Sequence, residues 1–208
     1  MTNVGILVSG GGTNLQAIIN SKAAGGLELC NLSVVVSSRP GARALGRAEK
    51  AGIPTVCVER KAFSEIVRYD DKLIEVFESY GVDLIVMAGF LSLVGRKFAD
   101  RYEGRMINVH PSLIPAFSGN GCYGLKPHQM ALEYGVKVTG ATVHFVEYVT
   151  DSGPIIMQGA VDVLDGDTPE LLQRRVMEQV EWKLLPEAIR LFSEGRLRLD
   201  GRKVTITQ

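Results

Sequence analysis

Val4-Gly5-Ile6-Leu7-Val8-Ser9-Gly10-Gly11-Gly12-Thr13-Asn14-Leu15 is the stretch whose reading decides the fold. Its first six residues form a short apolar run of the kind found in a central parallel strand covered on both faces. Three glycines follow, and a helix is expected from Leu15 to about Ala23. A strand, a glycine turn and a helix N-terminus together make an anion site, because backbone N–H groups and the positive end of the helix dipole converge there. Thr13 and Asn14 add side-chain donors. A dinucleotide fingerprint would need a third glycine where Leu15 stands and an acidic residue at the end of the second strand, where this chain has Ser37 and Ser38. No Gly-Lys-Ser/Thr follows, so a nucleoside-triphosphate loop is excluded as well. A phosphate monoester fits best. The plain alternative is a tight turn, but three consecutive glycines exceed what a turn requires.

The same alternation continues outward from this unit. Strands are expected over 32–37, 54–58, 82–88 and 105–109, with helices over 42–51, 64–80 (capped by Ser64) and 95–102 between them. Strand–helix alternation of this kind predicts an α/β fold, a doubly wound and mostly parallel Rossmann-like sheet with right-handed crossovers. Beyond a helix from Pro127 to Tyr134 the pattern changes. Residues 138–146 and a strand starting at Gly153 form a pair joined by the loop 147–152. Thr168-Pro169-Glu170 opens a long helix with Leu172, Val176, Val180 and Leu184 along one face, and Pro186 is expected to break or kink it. Residues 197–204 read as a hairpin turning at Asp200-Gly201. The 208 residues are expected to form one domain.

Lys plus Arg and Asp plus Glu number 23 each, so the formal net charge is zero and the basic footprint of a nucleic-acid binder is missing. No apolar run approaches the roughly 18 residues of a membrane span, and Met1-Thr2-Asn3 carries no charged leader. Small-molecule partners and a cytoplasmic location are expected, with no nucleic acid and no membrane. Cys30, Cys57 and Cys122 are odd in number and lack CxxC spacing, which argues against disulfides and against a zinc site; no metal is expected. Cys122 has no basic neighbour in sequence and reads as a bystander.

Ile107-Asn108-Val109-His110-Pro111-Ser112-Leu113-Ile114-Pro115 carries the strongest hint of chemistry. Asn108 and His110 sit two apart, so on an extended backbone they leave from one face, at the carboxyl end of a strand where open α/β sheets place their sites. They pair a neutral amide donor with a group that titrates near neutrality. Gly89-Phe90-Leu91 leaves the fourth strand as an apolar loop, suited to the core or to a pocket for a flat ligand. Asp151 ends the 147–152 loop. His128 and His144 read as structural. Ser118 to Gly124 is too glycine-rich for regular structure.

Four segments of this sequence, Ser9-Gly10-Gly11-Gly12-Thr13-Asn14-Leu15-Gln16-Ala17-Ile18, Met87-Ala88-Gly89-Phe90, Ile107 to Pro115 and Asp151-Ser152-Gly153-Pro154, resemble the signatures of the phosphoribosylglycinamide formyltransferases, within the formyltetrahydrofolate-dependent formyltransferase family. The resemblance covers nearly the whole chain in order. The Asn-x-His-Pro-Ser segment with a distant Asp is shared across the family and points to the chemistry; the first loop points to the acceptor. Methionyl-tRNA formyltransferases resemble this core but add a C-terminal tRNA domain, and formyltetrahydrofolate deformylases add an N-terminal regulatory domain. Neither extension is expected here.

The resemblance implies transfer of a formyl group from N10 of 10-formyltetrahydrofolate, the co-substrate, to the amine of glycinamide ribonucleotide in purine biosynthesis. It assigns catalysis to Asn108, His110 and Asp151. Gly11, Gly12, Thr13 and Asn14 would hold the ribonucleotide phosphate, and Gly89, Pro111 and Glu181 other parts of the ribonucleotide. Phe90, Leu91, Ser92, Leu93, Val94, Val149 and Thr150 would bind the folate. Ser92 stands where many members have Arg, which is expected to adjust folate affinity and not abolish it. The domain would then divide into a phosphate-binding half, 1–110, and a folate and catalytic half, 111–208, acting as a monomer or homodimer. The alternatives are a formyltetrahydrofolate deformylase-like hydrolase and a non-catalytic sugar-phosphate-binding protein.

Overall fold

The computed structural model describes residues 1–207 and contains a nine-stranded mixed sheet with helices on both faces. In chain order the elements are β1 (Thr2–Val8), α1 (Thr13–Ala23), β2 (Cys30–Ser37), α2 (Arg43–Lys50), β3 (Thr55–Cys57), α3 (Ile66–Ser79), β4 (Leu84–Met87), α4 (Arg96–Arg101) and β5 (Met106–His110). They continue as α5 (Lys126–Tyr134), β6 (Val138–Phe145), β7 (Ile155–Asp162), α6 (Pro169–Val176), α7 (Trp182–Ser193), β8 (Leu197–Asp200) and β9 (Lys203–Ile206). The strand order is β3-β2-β1-β4-β5-β6-β7-β9-β8. β1 to β5 run parallel, and β6 and β7 add antiparallel strands.

Burial on both faces explains the continuous apolar character of β1. Ile6 and Val8 pack against Leu15 and Ile18 of α1 and Ala44 and Ala48 of α2, in a core completed by Leu185 and Ile189 of α7. Leu7 points the other way, into a core with Tyr69, Leu73 and Phe77 of α3, Phe98 of α4 and Tyr102 just after it. The chain leaves β1 for β2 on one side, while β4 lies on the other. That reversal opens a crevice at the carboxyl ends of β1 and β4, where doubly wound sheets bind ligands.

Three local expectations are corrected. Ser64 does not cap α3: the helix begins at Ile66, after an extended Glu65 with no side-chain cap. Pro186 lies inside α7 without ending it. A π-helical turn over Met177–Glu181 separates α6 from α7. The terminal hairpin turns at Gly201-Arg202 and not at Asp200-Gly201, since Asp200 pairs with Lys203 and Gly201 takes a φ of 56°. This hairpin also joins the main sheet, through β9 beside β7.

Candidate active site

Register alone brings the polar residues together. Leu7, Met87, Asn108 and His144 are successive partners across β1, β4, β5 and β6, and His110 pairs with Thr142. Asn108 and His144 are therefore direct cross-strand neighbours, and His110 projects from the same face two residues on. Asn108 Nδ2 lies 3.2 Å from His144 Nε2. His144 Nδ1 lies 2.8 Å from the Phe145 carbonyl and donates to it, so in the neutral ring Nε2 is the acceptor for one Asn108 N–H. Burial lowers the His144 pKa and favours that neutral ring. The second Asn108 N–H has no protein acceptor among the described residues.

Asp151 closes the cluster from the 147–152 loop. Its Oδ2 is 3.3 Å from His110 Nδ1, and its Oδ1 is 3.7 Å from His144 Nε2. Gly119 N donates to Oδ2 at 2.9 Å, tying the glycine-rich loop to the carboxylate. Asp151 adopts a φ of 54°, a left-handed conformation that Asp tolerates better than most residues. His110 Nε2 lies 3.0 Å from the Phe117 carbonyl. Both ring nitrogens thus face acceptors. The intervening loop is pinned by Thr142, whose Oγ1 donates to Ser112 O and accepts from Ile114 N.

At the crevice's other wall, the amides of Gly10, Gly11, Gly12, Thr13 and Asn14 donate to no protein acceptor among the described residues. Gly12 has a φ of 73°, and a Cβ there would lie 2.7 Å from Ala44 Cβ, so α2 packs directly under the loop. Asn14 Nδ2 donates to Glu181 Oε2 at 2.7 Å, which brings the π-helical turn to the N-terminus of α1. Glu181 is buried, and burial pushes its carboxyl pKa up to about 7 against the opposing effect of Asn14.

The segment after β4 is tied to the same place. Ser9 N donates to Gly89 O, Leu91 N donates to Ser9 Oγ at 2.8 Å, and Ser9 shares a 2.7 Å hydrogen bond with Ser38. Asp70 of α3 accepts from Gly95 N and Phe98 N, capping α4 and fixing the far end of the segment. Between these anchors Leu91 and Leu93 are exposed, as are Tyr148 and Val149 on the opposing loop. Large apolar side chains left in water on two loops beside a polar cluster suit a flat amphipathic ligand.

A profile described as formyl transferase matches residues 2–189. The chain belongs to the formyl transferase family. It is 39% identical over 199 residues to the phosphoribosylglycinamide formyltransferase of Haemophilus influenzae, covering 96% of this chain and 91% of that protein. It is also 39% identical to the trifunctional purine biosynthetic protein adenosine-3 of Bos taurus; 99% of this chain aligns, but it spans only 20% of that protein's length. Among solved structures, glycinamide ribonucleotide transformylase 1 from Symbiobacterium toebii superposes with a TM-score of 0.94 at 45% identity, covering 100% of this chain and 95% of that one.

In this member of the formyl transferase family, the residues singled out in sequence fall into two groups around one crevice. Asn108, His110 and Asp151 converge within hydrogen-bonding or ion-pair reach of one another or of His144. Gly11 to Asn14, Gly89 and Glu181 line the β1 and β4 side. His144 reads as structural in sequence, because only its cross-strand pairing with Asn108 shows that it belongs to the site. Ser9 was passed over as a strand end. His128 is buried with neither ring nitrogen paired among the described residues, and desolvation holds its pKa down at about 4, in keeping with a neutral structural role. Among the described residues no group of three His, Cys, Asp or Glu could hold a metal ion, and no helix is long and apolar enough to cross a membrane.

Proposed function

We infer that this chain transfers the formyl group of 10-formyltetrahydrofolate to the amine of glycinamide ribonucleotide, a step of de novo purine biosynthesis. The observation that carries the reading is the convergence of Asn108, His110 and Asp151 between a glycine loop with free amides and an exposed apolar segment. Relatives that carry the phosphoribosylglycinamide formyltransferase name align over nearly their full length. The ribonucleotide phosphate binds Gly11, Gly12, Thr13 and Asn14, with Gly89, Pro111 and Glu181 around the rest of that substrate. The folate lies along Phe90, Leu91, Ser92, Leu93 and Val94 and against Val149 and Thr150.

The amine attacks the formyl carbon, forming a C–N bond and a tetrahedral oxyanion; collapse breaks the bond to N10, which gains a proton while the amine loses one. The free N–H of Asn108 donates to the oxyanion, a contribution of about 3–4 kcal/mol where such donors have been removed from other enzymes. His144 holds the amide in that orientation. His110 supplies the second donor, turning the Nε2–H now on the Phe117 carbonyl toward the substrate, and moves the proton to the leaving nitrogen. Asp151 orients and stabilises the imidazolium. Holding both substrates in line supplies much of the remaining acceleration. The 208 residues act as one formyltransferase domain, in the cytoplasm, as a monomer or homodimer.

The test is formylation of glycinamide ribonucleotide by the wild-type protein, His110→Ala and Asp151→Asn. Each variant is expected to lose about a hundred-fold or more in kcat. Near-wild-type turnover in either overturns the residue roles. Formate released at the same rate without the amine would replace transfer by hydrolysis, and absence of any product would favour a sugar-phosphate-binding protein.

A further inference from the structure

We propose that Arg47, on α2 behind the glycine loop, is a positioning residue that aims the loop's amides at the phosphate. The proposal rests on reading that loop as the ribonucleotide's phosphate site. In a trans peptide the carbonyl of one residue and the N–H of the next point in opposite directions within one plane. Whatever holds the carbonyls therefore sets where the amides aim. Three successive carbonyls are held: Gly10 O accepts from Ala44 N at 3.1 Å, Gly11 O from Arg47 Nε at 2.9 Å, and Gly12 O from Gln16 N at 2.9 Å. The N–H groups of Gly11, Gly12 and Thr13 are thereby turned away from α1 and α2, and none has a protein acceptor among the described residues.

Arg47 is the only side chain in this set. Ala44 N and Gln16 N belong to helix backbones and are fixed by α1 and α2, whereas the Gly11–Gly12 plane is flanked by residues without a Cβ and can rotate freely. A rotated plane would present the Gly11 carbonyl to the phosphate in place of the Gly12 N–H. Arg47 Nη1 donates to Gln16 Oε1 at 3.0 Å, so the guanidinium is held by two acceptors and keeps its fork in one orientation. Its other side faces an open groove with Arg43 and Lys50 between α1 and α2. None of these three cations forms an ion pair among the described residues, so no carboxylate cancels the Arg47 charge beside the loop.

The experiment measures inorganic phosphate binding by titration calorimetry, and steady-state kinetics with both substrates, for the wild type, Arg47→Met and Arg47→Lys. Arg47→Met should raise both the phosphate Kd and the ribonucleotide KM about ten-fold, the factor one charge-assisted hydrogen bond typically carries, with kcat and the folate KM unchanged. Arg47→Lys keeps the charge but cannot span Gly11 O and Gln16 Oε1, and should resemble the Met variant. Gln16→Leu, which removes only the second anchor, should give a smaller rise in the same constants. Unchanged phosphate affinity in Arg47→Met overturns the proposal, as does full rescue by lysine, which would assign the effect to charge alone. Loss of kcat and of both KM values together would assign Arg47 to general stability and also overturn it. Weaker phosphate binding in Arg47→Met alongside a wild type that formylates no ribonucleotide would uphold Arg47 and overturn the substrate assignment.

Discussion

Glu181→Gln should make the folded protein more stable at neutral and alkaline pH. The wild-type carboxyl is buried at 5% exposure, and its single hydrogen bond among the described residues comes from Asn14 Nδ2. Burial raises its pKa from 4.5 to about 7. Below pH 4.5 the group is protonated in folded and unfolded chains alike, and it contributes no pH dependence. Between 4.5 and 7 the unfolded chain ionises while the folded one holds its proton, so stability falls as pH rises through this window and levels off above it. The difference between the two values corresponds to about 3 kcal/mol. Glutamine keeps the acceptor for Asn14 Nδ2, carries no charge, and can offer an N–H to Asn14 Oδ1, which is buried without a partner. Urea unfolding of both proteins at intervals from pH 4.5 to 8 reads the effect. The variant's advantage should grow with pH by about 3 kcal/mol and then plateau. An advantage that is constant across the window, or that grows toward acid, refutes a buried carboxyl of raised pKa. The cost should appear as weaker ribonucleotide binding, since a site residue placed for function is often held at the expense of stability.

Ser9→Ala removes the acceptor of Leu91 N and the partner of Ser38; the folate KM should rise about five-fold, the net worth of one part-buried hydrogen bond of about 1 kcal/mol, with a smaller change for the ribonucleotide. Equal changes in both constants would argue against Ser9 as the anchor of the Phe90–Val94 segment. Gly12→Ala puts a Cβ 2.7 Å from Ala44 Cβ at a φ of 73°, so denaturant unfolding should show a loss of about 2 kcal/mol or more, together with weaker phosphate binding. A variant as stable as the wild type would show that α2 yields there without resistance.

The alternation of apolar runs with amphipathic helices specified the doubly wound half of the sheet, because Val4 to Val8 and Leu84 to Met87 have no polar side to give to water. The glycine loop and the pairing of Asn108 with His110 were equally legible, since both depend on spacing along a few residues. Local signals were weakest at the ends and irregular turns of helices. Ser64 looked like a cap, but Glu65 remains extended and the helix starts one residue later. Pro186 is expected to break or kink the helix but lies inside α7 without ending it, and the irregular turn over Met177–Glu181 delivers Glu181 to Asn14, 167 residues away.

The sequence by itself determined the strand ends, the donors near them and the turn that leaves the amides open, because each is a property of a short segment's backbone and periodicity. Only the tertiary structure decided who meets whom. The register of β5 on β6 turned His144 from a core histidine into the partner of Asn108. A left-handed Asp151 set its carboxylate against His110. The packing of α2 under the glycine loop placed Arg47 on the Gly11 carbonyl. Strand register and helix packing are set by the whole core at once, so no local spacing could have supplied those distances.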